Sequence, residues 1–121
     1  MVAILKQGAV LVVCVQSALN DRDLIELKDD LSDRVGRFRS RGVVIDISAL
    51  DIVDSFAART LRDISHMTRL RGAITFVVGI VPDVAFAMVE LGLTLDGVDT
   101  ALDLEDGLVQ LAERAATNNN G

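Results

Sequence analysis

The segment Gly42-Val43-Val44-Ile45-Asp46-Ile47 decides the fold class, because it is a short apolar run that begins at glycine and ends in a polar loop. A run of this kind predicts a buried β-strand. After the loop Ser48 to Asp54, a helix is predicted from about Ser55 to Arg71, and Ala73 to Val78 is the next strand. A strand, a helix and a strand of these lengths predict a parallel unit with a right-handed crossover.

The residues before this unit predict a hairpin and a first helix. Val2 to Leu5 and Ala9 to Val15 have strand composition, and Lys6-Gln7-Gly8 is the predicted turn. The second strand is apolar throughout, which predicts burial on both faces. Asn20-Asp21 opens a helix, and Gly42 is its predicted stop. The apolar residues of this helix recur in steps of three and four and form one stripe: Leu24, Leu27, Leu31, Val35 and Phe38.

The residues after the central unit predict two further helices and a short strand. Pro82 suits the first turn of a third helix, a strand is predicted near Val98 to Ala101, and Asp103 caps a fourth helix. The order β-β-α-β-α-β-α-β-α predicts a single α/β domain at residues 1–116. Its sheet is expected to be mixed and mostly parallel, with about four helices and an N-terminal antiparallel hairpin. Residues 117–121 are predicted to be a disordered tail.

Composition narrows the possible function classes. Half of the 121 residues are hydrophobic, which excludes global disorder. The formal net charge of −6 repels phosphate backbones and anionic headgroups, so neither nucleic acid nor a membrane is an expected partner. The one cysteine, Cys14, lies in an apolar run and is predicted to be a buried, unreactive thiol. Since the sequence has no run long enough to span a bilayer and no signal-peptide pattern, the chain is predicted to be cytoplasmic.

The residues that common catalytic sites require are missing. The sequence has neither a Gly-rich phosphate loop ending in Lys nor Gly-x-Gly-x-x-Gly after a strand. Its one histidine, His66, follows Ser55 by eleven residues, which is roughly 16 Å along a helix. His66 is therefore expected to be a solvated or partly packed helix residue rather than a member of a catalytic triad. The sequence predicts that the chain is not an enzyme and that it has no cofactor and no metal.

Two carboxylates and a serine stand where the central strand ends and the next helix begins. Asp54 or Ser55 occupies the position of a helix N-cap, which is a sufficient structural reason for either residue. Asp46 ends the strand, and its expected role is to accept hydrogen bonds from loop amides. A phospho-acceptor role for Asp46 would require neighbouring acids to hold a divalent cation, and the ends of the first two strands supply none.

The same segment resembles the STAS family, the sulfate transporter and anti-sigma factor antagonist domains. The resemblance rests on the strand end Asp46-Ile47-Ser48, on Asp54-Ser55 eight residues later, and on the element order from about Val2 to Ala115. Many members continue Asp-Ser-Ser-Gly, whereas Phe56-Ala57 follows here. The flanking residues and three later stretches resemble the RsbS-like subtype, the small single-domain scaffolds of the bacterial stressosome: Ile52-Val53, Arg59, Gly79-Ile80-Val81-Pro82, Glu90-Leu91-Gly92-Leu93 and Thr100 to Leu108.

The resemblance implies a phosphorylation switch centred on Ser55. The expected partner is a switch serine kinase of the histidine-kinase-like ATPase type, which the scaffold captures and which phosphorylation of Ser55 frees. A phosphatase would reverse the modification, and STAS paralogues would join the chain, itself a homodimer or higher oligomer, in a large assembly. The residues expected at the switch are Asp46, Asp54, Ser55, Phe56 and Arg59. Phe56 is either an exposed apolar anchor for the partner or a core residue.

Two other functions are compatible with the sequence. In the first, the chain antagonises an anti-sigma factor directly and forms no large assembly. In the second, it binds a nucleotide or another small ligand at the loop near Ser55. The basic run Arg34, Arg37, Arg39 and Arg41 is interpreted as the end of the first helix, whose negative end attracts cations, in preference to an anion-binding patch, because the chain as a whole is acidic.

Overall fold

A five-stranded mixed sheet organises the chain, and the computed structural model describes residues 2–16 and 19–119. The strand order is β1-β2-β3-β4-β5, with β1 antiparallel to β2 and every other neighbouring pair parallel. The predicted fold class and element order are confirmed. The elements are β1 (Ala3–Gln7), β2 (Val10–Cys14), α1 (Asp21–Phe38), β3 (Gly42–Asp46), α2 (Ser55–Leu70), β4 (Ile74–Val78), α3 (Pro82–Glu90), β5 (Asp99–Ala101) and α4 (Leu104–Asn119).

The N-terminal hairpin turns more tightly than the sequence suggested. Gln7 pairs with Val10, so only Gly8 and Ala9 form the turn, and Lys6 and Gln7 belong to β1. Two residues suffice because Gly8 adopts a φ of 61°, the left-handed conformation that a tight hairpin turn requires at its first position. β1 is therefore five residues long, and it forms one edge of the sheet.

The sheet separates two apolar layers, because successive side chains of a strand point to opposite faces. The larger layer packs α1, α2 and α3 against residues that include Leu11, Val13, Ile45 and Val77. The smaller layer packs α4 against the other face, where the buried residues are Val44, Phe76, Val78 and Leu111. Burial of Leu11, Val12 and Val13 confirms that β2 is covered on both faces.

The N-terminal end of α1 agrees with the prediction, and its C-terminal end does not. Asn20 caps the helix, since its side chain accepts a hydrogen bond from the Asp23 amide while the Asp23 carboxylate accepts one from the Asn20 amide. The predicted stop at Gly42 is wrong, because Arg39 takes the left-handed conformation (φ 51°) and ends the helix. Gly42 instead begins β3, where a Cβ atom would lie 2.8 Å from a Leu111 methyl group.

Two side chains are more exposed than predicted. Cys14 is half-buried, because it faces the α4 side of the sheet while α4 packs chiefly on β3, β4 and β5. Phe38 ends the apolar stripe of α1 but is 37% exposed, and its ring carries the cations of Lys6 and Arg37 at 5.9 and 5.4 Å from the centroid. A ring at the last turn of a helix extends past the core and is covered by long polar side chains instead.

The last helix continues further than the predicted domain boundary at residue 116. It reaches Asn119, so three residues of the predicted tail belong to α4, and residues 120 and 121 lie outside the described part of the chain. Ala115 and Ala116 are strong helix formers and carry the helix onward. None of the described helices is both long enough and apolar enough to cross a lipid bilayer.

Candidate functional site

The start of α2 lies at the carboxyl end of β3 and gives the two adjacent polar residues different tasks. Asp54 is the N-cap, with extended backbone angles (φ −84°, ψ 179°). Its Oδ1 accepts a hydrogen bond from the Ala57 amide at 2.8 Å, and its backbone carbonyl accepts one from the Ala58 amide at 2.9 Å. The two alternatives for the cap are thus resolved in favour of Asp54.

Ser55 is the first residue of the helix and is exposed. Its hydroxyl makes no hydrogen bond within the described part of the chain, because Asp54 already satisfies the amide that a capping serine would bind. The first amides of a helix have no carbonyl partner one turn earlier, and the helix dipole adds positive potential there. A negative group attached to the Ser55 oxygen would therefore meet free amides and no competing hydrogen bond.

The charged side chains around Ser55 divide into one cation and two carboxylates. Arg59 lies one turn along α2, is exposed, and forms no ion pair among the described residues. Asp51 and Asp54 are exposed on the preceding loop, whereas the first turn of α2 contains no acidic residue. Residues four apart lie on the same face of a helix, so the guanidinium of Arg59 is placed to approach a group on Ser55.

Asp46 also lies at the carboxyl end of β3, but its side chain bonds to the loop that follows β3 and not to the start of α2. Its Oδ1 accepts a hydrogen bond from the Ser48 amide at 2.9 Å, as the sequence predicted for a carboxylate at the end of a strand. Gly79 closes over this turn with a φ of 79°, and a Cβ atom there would lie 2.9 Å from Oδ1 of Asp46. Asp46 and Gly79 therefore fix the path by which the chain leaves β3.

An apolar surface accompanies Ser55, and one of its members was not predicted. Ile52 is 77% exposed, although its neighbours Leu50 and Val53 are buried. Phe56 is half-buried, which lies between the two predicted alternatives. No periodicity operates in an irregular loop, so the sequence contains no signal that distinguishes Ile52 from Leu50 and Val53. Ile52 is the functional candidate that sequence reasoning missed.

A second loop is fixed against the outer side of α2. Arg62 donates to the Thr94 hydroxyl at 3.4 Å, and Ser65 and Arg69 donate to the Gly97 carbonyl at 3.3 and 3.0 Å. His66 is exposed beside this loop, where a Cβ atom on Gly97 would lie 2.9 Å from its Nε2. The prediction that His66 is a solvated or partly packed helix residue is confirmed, since the side chain is exposed and lies beside the loop around Gly97.

A cavity of about 220 Å³ opens between α1, α2 and the loop before Ser55. Aliphatic side chains line most of it, and the one charged lining residue is Asp54. Within residues 2–16 and 19–119, no group of His, Cys, Asp and Glu side chains is arranged to hold a metal ion. The surface near Ser55 therefore combines an unused hydroxyl, one unpaired cation and exposed aliphatic area.

Comparison with known proteins gives this arrangement a context. The STAS domain model matches residues 1–106. The RsbT co-antagonist protein RsbRA of Bacillus subtilis (strain 168) is 34% identical over 82 residues, which make up 68% of this chain and 30% of that protein. The chain thus spans about a third of the length of this curated relative.

Two solved structures agree with the chain over nearly all of its length. A serine-to-glutamate variant of RsbS from Moorella thermoacetica is 39% identical and superposes with a TM-score of 0.81, covering 95% of this chain and 97% of that chain. A structure describing the molecular architecture of the stressosome, a signal integration and transduction hub, is 41% identical with a TM-score of 0.78, covering 93% and 98%. Together with the family model, these matches show that the chain belongs to the STAS domain family and is similar to RsbS.

Proposed function

We propose that the chain is a non-catalytic scaffold of the bacterial stress response that captures a switch serine kinase and releases it when Ser55 is phosphorylated. The observation that carries the proposal is that Asp54 and Ser55 have different roles at the start of α2. Asp54 caps the helix, so the exposed Ser55 hydroxyl has no structural task among the described residues. A hydroxyl whose hydrogen bonds are not needed for folding is available to be modified without unfolding the domain.

Phosphate on Ser55 changes the surface far more than it changes the fold. It adds a charge of roughly −1.5 to −2 and three acceptor oxygens. The free amides at the helix start and the Arg59 guanidinium favour this charge, while Asp51 and Asp54 oppose it. The affinity of a docked partner is therefore lowered, because the phosphate places a new charge beside Ile52 and Phe56, in a contact that had excluded water. Release of the kinase follows from that desolvation penalty.

The relatives support one part of this proposal, the assembly with STAS paralogues. RsbRA is by name a co-antagonist of RsbT, and the similarity to RsbS covers almost the whole of this chain. This similarity supports an assembly with STAS paralogues. The proposal adds a cytoplasmic location, a histidine-kinase-like serine kinase as the captured partner, and a phosphatase that resets Ser55. The kinase supplies the base, the Mg²⁺ and the ATP, and the chain contributes only the Ser55 oxygen that attacks the γ-phosphate.

The decisive experiment is site-resolved mass spectrometry after incubation with the neighbouring histidine-kinase-like partner and Mg-ATP. We expect phosphate on Ser55 in the wild type and none in Ser55→Ala. Ser48→Ala is the matched control, since Ser48 is also an exposed serine of the same region and should leave Ser55 phosphorylation unchanged. An active kinase that fails to modify Ser55, or that modifies Ser48 instead, would refute the proposal.

Direct antagonism of an anti-sigma factor is the first alternative, and assembly mass separates it from the scaffold. A scaffold mixed with its STAS paralogue should elute as one particle much larger than either chain. A direct antagonist should remain small and should bind the anti-sigma factor alone.

Nucleotide binding is the second alternative, and the cavity beside Ser55 argues against it. The side chains that line the cavity are aliphatic except for the carboxylate of Asp54, which would repel the phosphates of a nucleotide placed there. We expect no rise in melting temperature with millimolar ATP or GTP. A rise would support nucleotide binding over the scaffold function.

A further inference from the structure

The cavity between α1, α2 and the loop before Ser55 extends from the surface into the larger apolar layer. Its volume is about 220 Å³. Water in the inner part would find no polar side chain to bind, and buried water is held by several polar partners. The inner part therefore favours an apolar occupant. Buried aliphatic residues of the core line it: Val15, Leu24, Leu27, Ile45, Ile47 and Leu61.

The mouth of the cavity differs from its interior in charge. Two exposed residues of the loop before α2, Ile52 and Asp54, line this outer part. Oδ1 of Asp54 accepts the hydrogen bond of the Ala57 amide. Within residues 2–16 and 19–119, Oδ2 forms no hydrogen bond and neither oxygen forms an ion pair. A carboxylate without a cation therefore lies at the entrance to an aliphatic interior.

The volume of the cavity limits the size of an occupant. A water-sized group takes up about 30 Å³ in a liquid, so a cavity of about 220 Å³ has room for roughly seven heavy atoms. An engineered apolar cavity of about 150 Å³ is large enough to bind benzene. A chain of about six carbons with one head group fits this volume.

We propose that the cavity binds a primary aliphatic ammonium with an unbranched chain of about six carbons. The chain contacts the buried aliphatic side chains, and its transfer out of water favours binding. The ammonium donates to Oδ2 of Asp54 at the mouth, where both charges remain close to solvent. A carboxylate on the same chain is repelled by Asp54.

The position of Asp54 distinguishes a free amine from the lysine side chain of a partner protein, which carries the same ammonium group. A lysine enters a cavity with its charge first. Its ammonium would then lie among Leu27, Ile45 and Leu61, where no side chain accepts a hydrogen bond and the loss of hydration is costly. A free amine enters with its tail first and leaves its charge at the mouth. The geometry therefore favours the free amine.

Methyl-resolved NMR of the whole chain, titrated with hexylammonium, tests the site and measures its affinity. We expect saturable shifts at Leu27, Ile45 and Leu61 and no comparable shifts at Val44 and Leu111, which lie in the other apolar layer. From propylammonium to hexylammonium, each added methylene should raise the affinity about fourfold. Hexanoate and the diammonium of the same length should bind at least about tenfold more weakly than hexylammonium.

Two variants test the two ends of the cavity separately. Asp54→Asn keeps a side-chain oxygen for the Ala57 amide but removes the charge. It should weaken hexylammonium by about fivefold and leave the affinity for hexanol unchanged. Ala57→Leu fills part of the cavity and should abolish binding of both compounds. Ala112→Leu, at an exposed alanine of α4, is the matched control and should bind as the wild type does. Far-UV circular dichroism checks that each variant folds.

Three results would each overturn the proposal: shifts that do not saturate, an affinity that is independent of chain length, and equal affinities for hexylammonium and hexanoate. Wild-type binding by Ala57→Leu would do the same. Ser55 does not line the cavity, so Ser55→Ala should bind hexylammonium with unchanged affinity. The amine site and the phosphorylation switch can therefore fail independently of each other.

Discussion

Asp54 and Ser55 are adjacent polar residues with separable energetic roles. Asp54→Ala removes the side-chain acceptor of the Ala57 amide and should lower the free energy of unfolding by about 1 kcal/mol. Ser55→Ala removes an exposed hydroxyl without a hydrogen bond and should change it by less than about 0.5 kcal/mol. Urea denaturation of the two variants checks the order. A larger loss for Ser55→Ala would mean that the hydroxyl is structural.

Charge at Ser55 should control partner binding in proportion to its magnitude. Ser55→Ala is expected to hold the kinase permanently, because no phosphate can be added. Ser55→Asp should weaken capture only partly, since one carboxylate has less charge and fewer acceptor oxygens than a phosphate. Isothermal titration with the kinase measures both affinities, and Ser48→Asp is the control for added charge nearby. Wild-type affinity in Ser55→Asp would contradict the charge switch.

At the scale of elements, α2 and β4 are joined by a buried pair of threonines. The hydroxyls of Thr68 and Thr75 lie 2.6 Å apart, and the Thr68 hydroxyl also lies 3.1 Å from the Ser65 carbonyl. Thr68 can therefore donate to Ser65 while it accepts from Thr75. Both side chains are buried, so a hydroxyl that loses its partner cannot bond to water instead. Removal of the Thr68 hydroxyl and removal of the Thr75 hydroxyl should therefore have different costs.

This arrangement predicts an asymmetry between two valine substitutions. Thr68→Val leaves the Thr75 hydroxyl buried without an acceptor and should cost roughly 1–3 kcal/mol. Thr75→Val leaves the Thr68–Ser65 hydrogen bond in place and should cost less. Guanidinium denaturation of the single variants and the double variant measures the difference. Equal losses in the two single variants would contradict the assigned donor direction.

At the scale of the molecule, the two apolar layers are unequal. α4 contributes one buried leucine, Leu111, to the smaller layer, with Leu104 and Leu108 half-buried beside it. Leu111→Ala should destabilise the chain by about 2–5 kcal/mol. It should also raise hydrogen exchange in α4 more than in α2, because α4 then detaches before the rest unfolds. Val109→Ala, at a side chain 50% exposed on the same helix, is the control and should change little.

The fold was predictable where periodicity is strong, and the site only where a chemical pattern marks it. Apolar runs and steps of three and four located the strands and helices, and Asp54-Ser55 marked the start of α2. The stop of α1 at Arg39 was not predictable, because it depends on one residue taking a left-handed conformation. The exposure of Ile52, Phe38 and Cys14 depends on which elements cover a surface, and the linear sequence does not contain that information.

The sequential strand order has a consequence for synthesis of the chain. Each strand lies beside the strand that precedes it, so a nascent chain can extend the sheet at one edge without inserting a strand between two others. α1 and α2 follow β2 and β3 and cover one face early, whereas Val44, Phe76 and Val78 stay uncovered until α4, which follows them in the sequence, has left the ribosome. A chain stalled before α4 would present that apolar strip to chaperones, so the emergence of α4 is the step that ends the exposure of the strip to aggregation.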